Sequence, residues 1–153
     1  MAEALSASAR RVQAALATAG LAADVVELPA STRTAQEAAA AVGCRVEQIA
    51  KSLVFRRTDS GEAVLVIAGG ANRVDEKRLG LRRASAEVVR EKTGYAIGGI
   101  PPVGLAAPIQ TFIDEDLLRF ERIWAAAGTP NAVFELLAAD LPRIAGGEVI
   151  KVS

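Results

Sequence analysis

The sequence contains no histidine and a single cysteine, Cys44, among its 153 residues. Without histidine, sites built on an imidazole base, such as the Ser-His-Asp triad and the Cys-His dyad, are excluded. With one cysteine, an intramolecular disulfide and a zinc site of Cys and His ligands are excluded as well. Cys44 has no imidazole partner to activate it, so we interpret it as a packing residue. We therefore expect a site without a metal, in a protein of a reducing compartment.

Long apolar runs and an excess of one charge are also missing. No stretch approaches 18 consecutive apolar residues, and the N-terminus lacks the basic and apolar regions of a secretory signal. Lys plus Arg and Asp plus Glu number 18 each, so the net charge gives no reason to expect a general polyanion binder. The length is typical of one domain. The sequence predicts a soluble, cytoplasmic protein without membrane association, folded as a single domain over residues 1–153.

Short helical and strand patterns alternate along the chain. Thr34 and Glu37 match a capping box at the start of an alanine-rich helix, and Thr58-Asp59-Ser60-Gly61 is a turn signal within a hairpin. We predict helices over 6–19, 34–43 and 136–144, a helical turn over 46–50, a polar and partly helical segment over 72–92, and strands over 24–28, 53–55, 63–67, 109–113, 123–127, 132–134 and 149–152. This order of elements indicates an α+β fold around a mostly antiparallel or mixed sheet.

Charged residues are unevenly distributed. The segment from Lys51 to Lys92 holds ten basic and six acidic residues. It is either a solvated face with interspersed carboxylates or a surface that contacts phosphates. Farther along, the acidic run Asp114-Glu115-Asp116 either binds a hard cation or stabilises the start of a helix, and the second is more common.

Lys51 stands at the junction between a helical turn and an apolar strand. If the strand begins there, alternation places Lys51 on the same face as Leu53 and Phe55. An ammonium on an apolar face is costly unless it reaches water or a partner. Lys51 either caps the last carbonyls of the preceding turn or extends to solvent, or else it holds a ligand.

A second candidate is the loop Gly98-Gly99-Ile100-Pro101-Pro102. Glycines permit close backbone approach, and prolines stiffen the segment while removing two donors. The N–H groups of Gly98, Gly99 and Ile100 would suit a carbonyl that becomes an oxyanion, because rigid donors need no reorganisation. The alternative is a tight bend between two strands.

Together these motifs resemble the YbaK/ProX family. The resemblance covers roughly residues 24–152 and rests on four segments in order: Gly43-Cys44, QIAKSLVF over 48–55, RVD over 73–75 and TGYAIGGIPPVG over 93–104. Members of this family are bacterial editing domains, free-standing or inserted in prolyl-tRNA synthetase, that hydrolyse mischarged aminoacyl-tRNA. The resemblance implies a curved, barrel-like mixed sheet with flanking helices and no cofactor.

The resemblance also implies roles for particular residues. Lys51 would be the essential lysine, and Gly98 would open the catalytic G-x-x-x-P loop. Substrate-binding positions would be Thr34, Ser52, Gly99, Ile100, Pro101 and Pro102. Contacts to tRNA are expected from the basic segment, at Arg56, Arg57, Arg73, Lys77 and Arg78.

The expected partners are the acceptor end of a mischarged tRNA, with tRNA-Pro as a candidate, and prolyl-tRNA synthetase. Ala126 and Val133 occupy positions where some Cys-specific members carry serine and aspartate, so we expect small amino acids as substrates. Two alternatives belong to other classes. One is a module that binds aminoacyl-tRNA or a synthetase without catalysis, and the other is a small-molecule sensor that uses the same pocket.

Overall fold

Eight strands form one mixed sheet in the computed structural model, which describes residues 5–153. The strands are β1 (Val25–Glu27), β2 (Ile49–Arg57), β3 (Ala63–Gly69), β4 (Leu81–Arg83), β5 (Gln110–Asp114), β6 (Arg122–Ala126), β7 (Ala132–Leu137) and β8 (Glu148–Ile150). Five α-helices accompany them: α1 (Ala7–Thr18), α2 (Ala35–Val42), α3 (Glu76–Leu79), α4 (Ala86–Thr93) and α5 (Leu141–Ala145). The predicted α+β fold with a mixed sheet and flanking helices is confirmed.

The strand order is β1-β7-β6-β2-β3-β5-β8, and β4 pairs with β2 outside this path. The predicted hairpin is the antiparallel pair β2–β3. The contacts of β2 with β6, of β3 with β5 and of β5 with β8 are parallel. Strand β2 therefore has neighbouring strands on both of its edges.

Apolar side chains pack on both faces of the sheet. On one face Leu65, Ile67 and Phe134 pack with Val12 and Leu16 of α1, all of them fully buried. On the other face a smaller cluster contains Phe55, Val66, Leu81 and Val152, with Leu53 packed against it. Because β2 alternates between these faces, Lys51 lies on the face of the smaller cluster, as predicted.

Helix α2 begins and ends as its sequence predicts. The Thr34 hydroxyl accepts the Glu37 N–H, and the Glu37 carboxylate accepts the Thr34 N–H, which completes the capping box. Gly43 ends the helix in the left-handed region at φ 76°. This arrangement fixes the segment that enters α2 beside the middle of β2.

Two predicted elements have wrong boundaries, and one strand was not predicted. Ile49 and Ala50 already belong to β2, where they pair with Trp124 and Ala125, so the helical turn before them covers only Val46–Gln48. The polar segment 72–92 is partly helical as predicted, in α3 and α4, but it also contains strand β4, which no apolar run indicates. The predicted helix over 136–144 begins only at Ala138, with the 3-10 turn Ala138–Asp140 that leads into α5, because Leu136 and Leu137 continue β7 and pair with β6.

Within residues 5–153, no helix has the length and apolar character that a membrane span requires.

Candidate active site

A cavity of about 540 Å³ opens where β2 changes its strand partners. One edge of β2 pairs with β3 along almost its whole length. The other edge pairs with β6 at Ile49 and Ala50 and with β4 at Phe55–Arg57. In the part of the chain that the structure describes, residues 51–54 therefore have no strand on that edge. The cavity occupies this gap in the sheet.

The gap leaves main-chain groups of β2 available. Arg57 N–H donates to Glu62 O on the β3 side, whereas Thr58 N–H donates to Gly80 O on the β4 side. Because successive residues of a strand direct their polar groups to opposite edges, Ser52 and Val54 direct theirs into the gap. The Ser52 Oγ is itself buried and has no hydrogen-bond partner within residues 5–153. A buried polar group without a partner is costly, so this position suits a polar ligand.

Lys51 lines the same cavity and is half-buried. Its ammonium has no ion pair or hydrogen bond within the described residues. Burial lowers the pKa of Lys51, and the negative charge of Asp114 offsets part of that lowering. A lysine in this position retains a charge that is only partly compensated by the protein, and it can bind an electron-rich oxygen of a ligand.

Lys51, Ala68 and Asp114 lie in one row across three strands. Lys51 is opposite Ala68, and the next row of the β3–β5 pairing brings Ala68 beside Asp114. The small Ala68 side chain leaves the space between the two charged groups open. The row orients Lys51 toward a fixed negative charge without a direct ion pair.

Asp114 is fixed in turn by three hydrogen bonds. Its side chain is 1% exposed and accepts the N–H groups of Gly69 and Asp116 and an N–H of the Asn72 side-chain amide, at 2.8–2.9 Å. The bond to Asp116 caps the short helical turn Glu115–Arg119, which confirms the structural interpretation of the acidic run. Within residues 5–153, no group of three potential ligands could hold a metal ion.

The glycine loop forms another part of the cavity wall. Gly98 and Ile100 line the cavity, and their N–H groups have no protein acceptor in the described part of the chain. Gly98 adopts φ 94°, and a β-carbon there would lie 2.7 Å from Cγ of Arg33. Gly98 is therefore required both by its backbone angle and by the Arg33 side chain that covers it.

The other predicted loop residues have different positions. The expectation of a free Gly99 N–H is wrong, because this group donates to Ala96 O and closes a turn. A β-carbon on Gly99 would lie 2.9 Å from Thr129 N, so this glycine permits close packing of two loops. Pro101 and Pro102 are buried behind the loop and do not line the cavity.

The remaining predicted substrate positions do line the cavity. Thr34 does so while it caps α2, so its two interpretations are compatible. Ala126 and Val133 form an apolar part of the wall together with Trp124. Cys44 is half-buried against the cluster of Ala38, Ala39 and Ile49, and burial raises the pKa of its thiol.

The five basic residues predicted to contact tRNA are not brought together at the cavity. Arg73 alone lines it. Arg57 pairs with Asp59, Arg78 pairs with Asp75 and donates to Lys151 O and Ser153 O, and Arg56 donates to Gly61 O. Lys77 is exposed on α3. Arg83, which belongs to the predicted basic segment, also lines the cavity, and so does Arg33, which sequence reasoning missed because it belongs to no recognisable motif.

Comparison with known proteins gives concordant results. A family model described as the aminoacyl-tRNA editing domain matches residues 29–144. The uncharacterized protein YwhH of Bacillus subtilis (strain 168) is 33% identical over 132 residues, which cover 82% of this chain and 83% of YwhH. EbsC of Enterococcus faecalis (strain ATCC 700802 / V583), named "Putative Cys-tRNA(Pro)/Cys-tRNA(Cys) deacylase", is 24% identical over 127 residues, 78% of this chain and 77% of EbsC.

A solved structure agrees in fold and length. The crystal structure of "a putative trans-editing enzyme for prolyl tRNA synthetase" superposes with a TM-score of 0.89 at 50% sequence identity. The match covers 98% of this chain and 99% of that one.

Proposed function

Because this chain belongs to the aminoacyl-tRNA editing domain family, we propose that it hydrolyses mischarged aminoacyl-tRNA in the cytoplasm. In this reaction water attacks the carbonyl carbon of the ester between the amino acid and the terminal ribose. The carbon–oxygen bond to the ribose then breaks, and the ribose oxygen takes a proton. The products are a free amino acid and an uncharged tRNA.

The observation that carries the proposal is the meeting of Lys51 with the Gly98 loop at one cavity. The loop presents N–H groups of Gly98 and Ile100 that no protein acceptor uses in the described residues. Such donors stabilise the oxyanion that develops when an ester carbonyl is attacked. The Lys51 ammonium would hold the ribose or main-chain end of the substrate.

The absence of histidine is compatible with this chemistry. The ester is already activated, the attacking group is water, and the substrate itself carries a neighbouring ribose hydroxyl. The protein must mainly orient the ester and stabilise the negative charge that develops on its oxygen. The open edge of β2 at Ser52 and Val54 supplies further main-chain groups that can orient the substrate.

The apolar part of the wall favours small amino acids. Ala126, Val133 and Trp124 give a substrate side chain little to bond with except apolar surface. Size alone discriminates weakly, by about 1–3 kcal/mol per methylene, so some overlap between alanine, serine and cysteine is expected. We propose tRNA-Pro as the acceptor and prolyl-tRNA synthetase as a partner, in line with what the name of the superposed structure says of that protein.

The test is deacylation of Ala-, Cys-, Ser- and Thr-charged tRNA by the same preparation, with the uncatalysed rate subtracted. We expect turnover of at least one charged tRNA and a loss of about 10²-fold or more in Lys51→Met, because an orienting ammonium is removed. Lys92→Met, at an exposed lysine outside the cavity, is the matched control.

Two results would contradict the proposal. Binding of charged tRNA without any turnover would favour the non-catalytic module. Full activity in a folded Lys51→Met protein would remove Lys51 from the site.

A further inference from the structure

Three arginines converge on the mouth of the cavity from three different elements. Arg33 precedes α2, Arg73 follows β3, and Arg83 ends β4. All three are exposed, and within residues 5–153 their guanidinium groups make no ion pair and no hydrogen bond. Glu76 is the carboxylate that shares this lining, so the mouth is strongly cationic once Lys51 is included.

Most arginines elsewhere in the chain are engaged differently. Six of them form ion pairs with nearby carboxylates: Arg45, Arg57, Arg78, Arg119, Arg122 and Arg143. Arg10, Arg82 and Arg90 are exposed and have no ion pair within residues 5–153, but they do not line the cavity. What distinguishes Arg33, Arg73 and Arg83 is therefore their convergence on one opening. Like charges gathered in this way repel one another until an anion neutralises them.

The mouth also carries an apolar contact surface. Ile97 is 55% exposed, unusual for a large aliphatic side chain, and it lines the opening next to Gly98. Arg33 covers Gly98 with its aliphatic carbons, which holds its guanidinium near the same loop. Flat guanidinium groups and exposed apolar side chains are the surfaces on which unstacked bases pack.

We propose that Arg33, Arg73 and Arg83 form a phosphate-binding rim for the single-stranded 3′ end of tRNA, with Ile97 as a contact for one base. The inference rests on the proposed function, because it places the terminal ribose at Lys51 and Gly98 and the preceding phosphodiesters at the rim. A duplex is not the ligand of this opening, because the gap lies between two strands and admits an extended chain. Arg73 and Arg83 belong to the basic segment for which phosphate contacts are predicted from the sequence, whereas Arg33 is added.

The test measures binding of a labelled single-stranded RNA ending in CCA as a function of salt concentration, with no amino acid attached. Three phosphates neutralised on a single strand give a slope of log K against log salt of about −2, and each lost contact reduces its magnitude by about 0.7. We expect that reduction in Arg33→Gln, Arg73→Gln and Arg83→Gln. Glutamine keeps the carbons that cover Gly98, and Arg10→Gln serves as the control.

Two further measurements test whether charge alone is needed at the rim and which anion binds there. Lysine at each rim position should restore most of the slope, since lysine still neutralises a phosphate. Inorganic phosphate should compete only weakly, because it engages one site rather than a chain of phosphodiesters. If inorganic phosphate displaces the RNA once it occupies the rim, the rim is a site for a free anion. That result would overturn the proposal.

The experiment separates this proposal from the proposed function. Unchanged slopes in all three variants, in a protein that deacylates tRNA, would overturn the rim and leave the hydrolysis standing. Reduced slopes in a protein that hydrolyses no charged tRNA would support the rim and overturn the hydrolysis.

Discussion

At the residue scale, the site depends on the positive charge of Lys51, whose surroundings disfavour a charged group. Lys51 is half-buried, and burial lowers its pKa from the ordinary 10.5. Asp114 opposes this shift from two strands away, and its own position is fixed by Gly69, Asn72 and Asp116. Asp114 thus acts on the substrate only through Lys51, as a positioning residue.

This arrangement predicts the pH dependence of activity. If the ammonium form of Lys51 is the active one, the rate falls as pH rises through the pKa of Lys51, below 10.5. Asp114→Asn removes the charge that raises this pKa, so the descending limb should move to lower pH. The other charged groups that line the cavity are Arg33, Arg73, Arg83 and Glu76, and all four remain in the variant.

The measurement is the pH–rate profile of the variant, after subtraction of spontaneous ester hydrolysis, with a thermal melt to verify folding. Glu115→Gln, at the exposed neighbouring carboxylate, should leave the limb in place. If the descending limb is unshifted in folded Asp114→Asn, the charge of Asp114 does not affect the pKa of Lys51.

Single residues were predicted from the sequence only where a motif or a period marked them. Alternation along β2 correctly placed Lys51 with Leu53 and Phe55, and the family motif singled out Gly98. Arg83 belongs to the basic segment that its charge singles out, whereas Arg33 lies in a loop where nothing local distinguishes it from a solvated arginine. Their proximity arises from long-range pairing and could not be deduced from spacing.

At the element scale, the Gly98 loop combines a strained backbone with a crowded surface. Gly98 and Gly146 both have positive φ, at 94° and 67°, but only Gly98 has a neighbour within 4 Å of an added β-carbon. Substitutions at the two positions therefore separate the effect of the backbone angle from the effect of crowding in the cavity wall.

We expect Gly146→Ala to lose about 1–2 kcal/mol of stability, because alanine disfavours the left-handed region, and Gly98→Ala to lose at least as much, because its methyl must also displace Arg33. Only Gly98→Ala should also lose deacylation, by about 10²-fold, since the added methyl displaces Arg33 and shifts the donors facing the ester. Thermal melts and deacylation rates of both variants test this. Equal activity of the two proteins would show that the loop is a bend and nothing more.

Elements whose partners are close in sequence were the easier ones to predict. The hairpin of β2 and β3 has a turn signal between two apolar runs, and α2 carries its own capping box and final glycine. The error at 136–144 has the opposite origin. Leu136 and Leu137 have helical spacing with later residues, but pairing with β6 keeps them in a strand.

At the scale of the whole molecule, the C-terminal segment holds the basic middle of the chain against the sheet. Val152 is fully buried in the cluster of Phe55 and Leu81, and its carbonyl accepts the Asp75 N–H. Arg78 donates to Lys151 O and Ser153 O beside it. The turn that carries Arg73 is thus attached to residues almost 80 positions away.

Val152→Ala removes two buried methyl groups and should destabilise the protein by about 2 kcal/mol. Val149→Ala, at a side chain that is 39% exposed, should cost less than about 0.5 kcal/mol. Denaturant unfolding of the two variants gives the comparison. A similar small loss for both would mean that the C-terminal segment contributes little to the fold.

The unpaired stretch of β2 has a consequence for how such a protein can diverge. Main-chain amides and carbonyls are the same whichever amino acids stand at Ser52 and Val54, so substitution there does not delete them. Selection can therefore alter the side chains around the gap and change which substrate is accepted, while the polar edge that receives the substrate is inherited intact. In a site built on a gap in a sheet, point mutations can therefore change the substrate preference more readily than they can remove the main-chain groups that bind the substrate.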